Sequence, residues 1–214
     1  ELRYIRVQAL TLPKSGHEAL EKQLVRMETH FLRSQLPEEQ RTRILGEIHN
    51  TWLLVSFNNA NAMVEHVAKA VQYFNGRFSC LISNKTEFTY GAATLLYCYY
   101  TKPGCLKETV ELIANGFPIL AQAVDGCGSG SETLIQVEYA LETGNLDTVS
   151  MYAYKAIYQS RMYHQIGIEI CATFALCRLA VVQGNFQEAD RLIAQLSTLV
   201  EEENNSVYNT TMDI

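Results

Sequence analysis

Apolar residues recur along this chain at spacings of three and four, the period of an α-helix laid against a core. The period-two alternation that marks strands is nowhere sustained. The pattern predicts an all-α fold of about ten helices, over 2–11, 15–32, 37–57, 61–74, 87–101, 105–123, 131–143, 147–161, 165–183 and 187–203. Taken in pairs they make five helical hairpins. The segment from Asn75 to Lys85 is a longer connection. Asp125-Gly126-Cys127-Gly128-Ser129-Gly130-Ser131 is a glycine-rich loop ahead of a helix. Of the 4 prolines, Pro13, Pro37 and Pro103 suit helix edges. Pro118 falls inside a helical pattern, where it would kink the helix or divide it.

The chain repeats itself. Ala140-Leu141-Glu142-Thr143-Gly144-Asn145-Leu146 returns 40 residues later as Ala180-Val181-Val182-Gln183-Gly184-Asn185-Phe186. After it, Val149, Tyr152, Ala153 and Ala156 match Ala189, Leu192, Ile193 and Leu196, all on one helical face. A weaker copy starts at Asn58-Asn59-Ala60 and continues through Met63, Val67 and Ala70, with His66 in place of a large apolar residue. The logic is that of a hairpin. A glycine ends the first helix in the left-handed conformation, and an acid, Asp147 or Glu188, suits the positive end of the second. One hairpin cannot bury its apolar face alone, so stacked hairpins share a core. A single helical-repeat domain over 1–214, stacked as a right-handed superhelix, is the expectation.

Composition narrows the function. The chain has a formal net charge of -6, and no run of Lys or Arg interrupts that acidity, so it is a poor candidate for a phosphate backbone. No apolar run approaches the ~20 residues that span a bilayer. The 6 cysteines include no CxxC pair and are expected to be small buried hydrophobes in a reduced compartment, with Cys127 the most exposed of them. The 5 histidines, His17, His30, His49, His66 and His164, show no metal-ligand spacing. No P-loop occurs, and nothing pairs a nucleophile with a base, so no catalytic residue, metal ligand or cofactor is assigned. The Gly126–Ser131 loop has two readings: an anion cradle at a helix N-terminus, or, the better one, a flexible connector capped by Ser131. The chain begins at Glu1 and stops at Asp213-Ile214, and is expected to be a fragment of a longer protein; a processed mature chain is the alternative.

Gly144-Asn145-Leu146 and Gly184-Asn185-Phe186 make the chain resemble tetratricopeptide-type repeats. The run Tyr90-Gly91-Ala92, Leu95-Leu96-Tyr97, Lys102-Pro103-Gly104, Gly126-Cys127-Gly128-Ser129-Gly130-Ser131-Glu132, followed by the two hairpins, resembles the sensor domain of the large ATP-dependent LuxR-type transcription regulators, similar to the maltose-operon activator. The resemblance implies a cytoplasmic, multidomain regulator in which this segment binds a small-molecule effector or a partner protein. DNA would be contacted through a helix-turn-helix outside this segment. Self-association is left open. A free-standing scaffold for protein–protein contact is the alternative. The tetratricopeptide Trp and Pro are absent from matching positions, and the 40-residue period exceeds the 34 of that consensus.

In such arrays the first helix of each hairpin lines the concave face, which points to 87–101, 131–143 and 165–183. Polar or amphipathic residues amid apolar neighbours there are Tyr97, Glu138, Tyr139 and Arg178. Glu138 and Arg178 are one repeat apart. They are expected either to bind a ligand or to pair with each other across the hairpin interface. Most of the 12 tyrosines are expected in the core and some in a groove.

Overall fold

The computed structural model of the chain describes residues 1–203 and Tyr208, Asn58 and Tyr90 excepted, and not the side chain of Lys14. Every long element is an α-helix, and no strand occurs among the described residues. There are nine α-helices among these residues, one fewer than the periodicity predicts. They are α1 (Leu2–Thr11), α2 (His17–Leu32), α3 (Glu38–Val55), α4 (Ala60–Phe74), α5 (Leu106–Ala123), α6 (Ser131–Thr143), α7 (Leu146–Met162), α8 (Ile166–Val182) and α9 (Phe186–Glu203). Helices adjacent in sequence pack together from α1 to α4 and again from α6 to α9. The chain divides into two compact units where one continuous array was expected. Unit 1 is Glu1–Ser83 with Ile119–Asp125; unit 2 is Asn84–Pro118 with Gly126–Ile214.

Unit 1 gathers α1 and α2 on α3, and α3 on α4. Ile5, Ala9, Leu20, Leu24, Leu45, Ile48 and Val55 form its core. The weak repeat copy begins here. Asn59 caps α4 by accepting the Ala62 N–H at 3.3 Å, and Val67 and Ala70 are buried as the register requires; Asn58, at the head of that copy, lies outside the described residues. Helices α3 and α4 approach closely because position 46 is glycine. A Cβ there would meet the Phe74 ring at 2.6 Å. The interior also holds polar groups, among them Glu47, His49, Asn50 and Thr51.

Unit 2 contains the repeat. The N–H of Asn145 reaches back to the Ala140 carbonyl at 2.9 Å and that of Gly144 to Leu141 at 3.3 Å. Forty residues on, Asn185 bonds Ala180 at 2.8 Å and Gly184 bonds Val181 at 3.0 Å. Both glycines are left-handed, at φ 75° and 73°. These are matching Schellman-type ends, with otherwise idle carbonyls satisfied in each. Val149, Ala153, Ala156, Ala189, Leu192 and Leu196 are buried as the register predicts, whereas Ile193, the counterpart of Ala153, is 47% exposed. Helix α7 packs between α6 and α8, while α9 packs against α8. Helix α8 contacts α6, α7 and α9 and is buried nearly all round, which explains why its sequence is apolar on every face.

One expectation about elements is corrected. The segment 87–101 is not a helix; it is irregular apart from a 3-10 turn at Leu96–Cys98. Thr89, Gly91 and Thr94 weaken helix there, Gly91 takes φ 78°, and the N–H groups of Leu95 and Leu96 are bound by a side chain instead of by carbonyls one turn back. Tyr90, which opens the run resembling the LuxR-type regulators, lies outside the described residues. Pro118 does not divide its helix: α5 runs from Leu106 to Ala123 with the proline inside, and the boundary between units falls just after it.

Candidate functional site

In unit 2 the fold brings together three of the four residues singled out by sequence, through a fourth side chain that was not. Glu138 on α6 is 2% exposed. Its carboxylate accepts the Leu95 N–H at 2.8 and 3.0 Å and the Leu96 N–H in a shorter bond. Burial pushes its pKa up to about 7, against the opposing pull of these two N–H groups and of Arg178. Arg178 on α8 does not pair with Glu138. It bonds Glu142, one turn further along α6, at 2.7 Å. Burial works to raise the Glu142 pKa, but Arg178 and Tyr97 outweigh it and hold the carboxyl below its usual range. Partial burial, then the same carboxylate, raises the Tyr97 hydroxyl. Tyr97 is 53% exposed and Tyr139 half-buried. Glu138 thus anchors the irregular segment to α6, and the Tyr97–Glu142–Arg178 chain lies beside it.

The glycine-rich loop is packed instead of loose. The N–H groups of Gly128, Ser129, Gly130 and Ser131 go to Gln165, Gly126, Glu132 and Gly128. None of these four is left to cradle an anion. Ser131 donates its hydroxyl to the Gly128 carbonyl at 2.6 Å and does not cap α6. Gly128 must lack a side chain because a Cβ would strike Phe88 at 2.6 Å. Cys127, expected to be the most exposed cysteine, is 2% exposed, with its thiol directed at the Thr86 carbonyl. Cys80 is the exposed one. A cavity of about 320 Å³ beside this loop is framed by Asn84, Phe88, His164, Gln165 and Ile168 among others. The Gln165 amide in its wall is already engaged by Gly128, Asn84 and Tyr163.

Helix α7 presents a row of large apolar side chains outward. Met151, Tyr154, Tyr158 and Met162, spaced on one face, are 60%, 56%, 67% and 62% exposed. The expectation that most tyrosines fill the core is corrected for this group, because the other face of α7 meets its neighbours through Val149, Ala153 and Ala156. Tyr99 does pack inside, edge-on to Phe117 at 5.7 Å.

Unit 1 contains a groove of about 760 Å³. Its floor is apolar: Leu2 from α1, Met27 and Phe31 from α2, Ile44 from α3, and Leu81 from the segment after α4, all half-buried. Three exposed arginines line it, Arg3 from α1, Arg26 from α2 and Arg43 from α3, with His30 beside Phe31. None of the three forms a hydrogen bond or ion pair among the described residues, although Asp and Glu outnumber Lys and Arg 23 to 17. Glu47 fixes the wall at Cys80 and Leu81. Its two oxygens accept the Ser79 hydroxyl at 2.8 Å and the Cys80 N–H at 2.5 Å, and the Ser79 oxygen accepts from Leu81, Ile82 and Asn50. Sequence reasoning found no basic run because the arginines stand about twenty residues apart, on three different helices.

Among the described residues no group of three or more His, Cys, Asp or Glu is placed to hold a metal ion, and no helix is long and apolar enough to cross a membrane. No family model, curated protein or solved structure matches the chain.

Proposed function

We propose that this chain is the effector-sensing helical-repeat domain of a cytoplasmic LuxR-type transcription regulator, a binding module whose ligand seat is the groove of unit 1. The observation that carries the binding reading is that Arg3, Arg26 and Arg43, none with a hydrogen bond or ion pair among the described residues, line one groove over an apolar floor. Concave, mostly apolar sites with a few convergent polar groups are where small molecules bind. The regulator context rests on the resemblance of the glycine-rich run and the two hairpins. In this reading effector binding biases a switch elsewhere in a longer protein.

A thermal-shift screen of the full chain against sugars, peptides, nucleotides and organic anions tests the binding reading, since a ligand selective for the native state raises stability by mass action. The R26A/R43A and Y97A/R178A variants assign any hit to the unit 1 groove or to the Tyr97–Glu142–Arg178 surface beside the buried Glu138. A P-loop upstream and a helix-turn-helix downstream in the full reading frame are the expected context. The protein-scaffold alternative draws support from the exposed Met–Tyr row on α7, since such patches mark partner surfaces. It is favoured if Y154S/Y158S abolishes an association seen by sedimentation while no small molecule raises the melting temperature.

A further inference from the structure

Resting on the reading of the unit 1 groove as a ligand seat, we infer that it takes an amphipathic oxyanion: a carboxylate or phosphate head on an unbranched acyl or aryl body. Charge sets the head. Three arginines line one groove, and a guanidinium fork matches carboxylate and phosphate oxygens in two parallel bonds. Two acids stand against them. Glu47 has both oxygens committed to Ser79 and Cys80, and Glu1 lies at the groove's edge. The balance favours a head of one or two negative charges over a polyanion.

The floor sets the body. Leu2, Met27, Phe31, Ile44 and Leu81 offer no buried donor or acceptor, so a sugar would lose hydration there without replacement, whereas an alkyl chain or ring gains by burial. Methionine adapts to variable shapes, which suits an acyl chain. The volume of about 760 Å³ falls within the range of small-molecule sites, roughly 300–1,000 Å³. One small amphiphile fills it. An acidic peptide would satisfy the arginines but leave the floor mostly uncovered.

The exposed Cys80 in the groove wall provides a readout that needs no activity assay. Cys105, half-buried in unit 2, serves as an internal reference within the same chain. The full chain is titrated below micelle concentration with dodecanoate, dodecyl phosphate, dodecanol and inorganic phosphate. Binding is followed by calorimetry, and alkylation of Cys80 relative to Cys105 by peptide mass spectrometry. Dodecanoate or dodecyl phosphate is expected to bind, weaken as salt rises, and slow Cys80 alkylation selectively; which of the two binds tighter separates a carboxylate from a phosphate ligand. R26A/R43A is expected to weaken binding by about tenfold or more, as loss of charge-assisted bonds predicts, with the Trp52 emission of unit 1 unchanged. Equal binding of dodecanol, binding of inorganic phosphate alone, or an R26A/R43A variant that binds as the parent does would overturn the inference. Protection of Cys80 by a neutral sugar or a peptide would overturn it too, yet leave the groove as a ligand seat. Absence of Cys80 protection by every compound of the wider screen would defeat both.

Discussion

Each unit buries an ionisable side chain with a large shift against its charged form, His49 in one and Glu138 in the other, and the two are of opposite type. In unit 1 it is a base. His49 is fully buried, its Nδ1 3.0 Å from the Nδ1 of His66, its ring stacked on Tyr73 and its Nε2 3.5 Å from Glu28. Burial, then repulsion by His66 and Lys69, lowers its pKa to about 4, against the attraction of Glu65. In unit 2 it is an acid, Glu138, raised to about 7. Desolvation is the leading cause in both and shifts them in opposite directions, because it always opposes the charged form. The units should therefore fail at opposite ends of the pH scale. Two kinds of glycine also stand apart: Gly46 in unit 1 is required for space, Gly144 and Gly184 in unit 2 for a positive φ.

The largest expected effects come from pH. His49 binds a proton more weakly folded than unfolded. Its contribution is complete above pH 6.5 and is lost as pH falls from 6.5 through about 4, by roughly 3 kcal/mol. Trp52, the single tryptophan, stacks on His66 at 5.0 Å and reports on unit 1 alone. Denaturant midpoints followed by its fluorescence should drop over that window, and H49F should flatten the profile. An unchanged slope in H49F would assign the acid sensitivity elsewhere.

Glu138 has the reverse sign. Its folded pKa is above the unfolded value, so the stability it confers is present below pH 4.5 and lost as pH rises through about 7, again by roughly 3 kcal/mol. Hydrogen-exchange protection factors in α6 and α8, taken against the intrinsic rate at each pH, should fall over that range and not in E138Q. Removing the acceptor altogether in E138A leaves the Leu95 and Leu96 amides without a partner, at about 3 kcal/mol, and should loosen 84–105 at every pH.

Next in size is G46A, which drives a methyl group into Phe74 and should cost about 2 kcal/mol by overpacking. F74L, by vacating the ring, should recover part of that loss. The smallest effect is G144A or G184A. An added Cβ would meet nothing within 4 Å at either position, so only the backbone conformation objects, at about 1 kcal/mol each. No second-site substitution should rescue these. A rescue of G144A by side-chain trimming, or none of G46A, would erase the distinction between the two kinds of glycine.

How much of this was legible follows from how far apart the interacting residues are. The helices, the Gly144 and Gly184 ends and the 40-residue register rest on bonds spanning five residues or fewer, so local sequence carries them. The fate of 87–101 does not. Its apolar spacing reads as helix, but Leu95 and Leu96 are claimed by Glu138 more than forty residues away, a competitor no local pattern reveals. Sequence placed Glu138 and Arg178 at equivalent positions, and only packing made one a buried anchor and the other a surface partner of Glu142. The groove is the extreme case. Arg3, Arg26 and Arg43 are ordinary exposed residues on three different helices, and they become one cationic wall only when α1, α2 and α3 share a core. By itself the sequence determined where helices form and how hairpins turn, because those depend on backbone geometry within a turn or two. Which charges meet, and which are denied water, was decided by tertiary packing, because desolvation and Coulomb energy depend on distance through space and not along the chain.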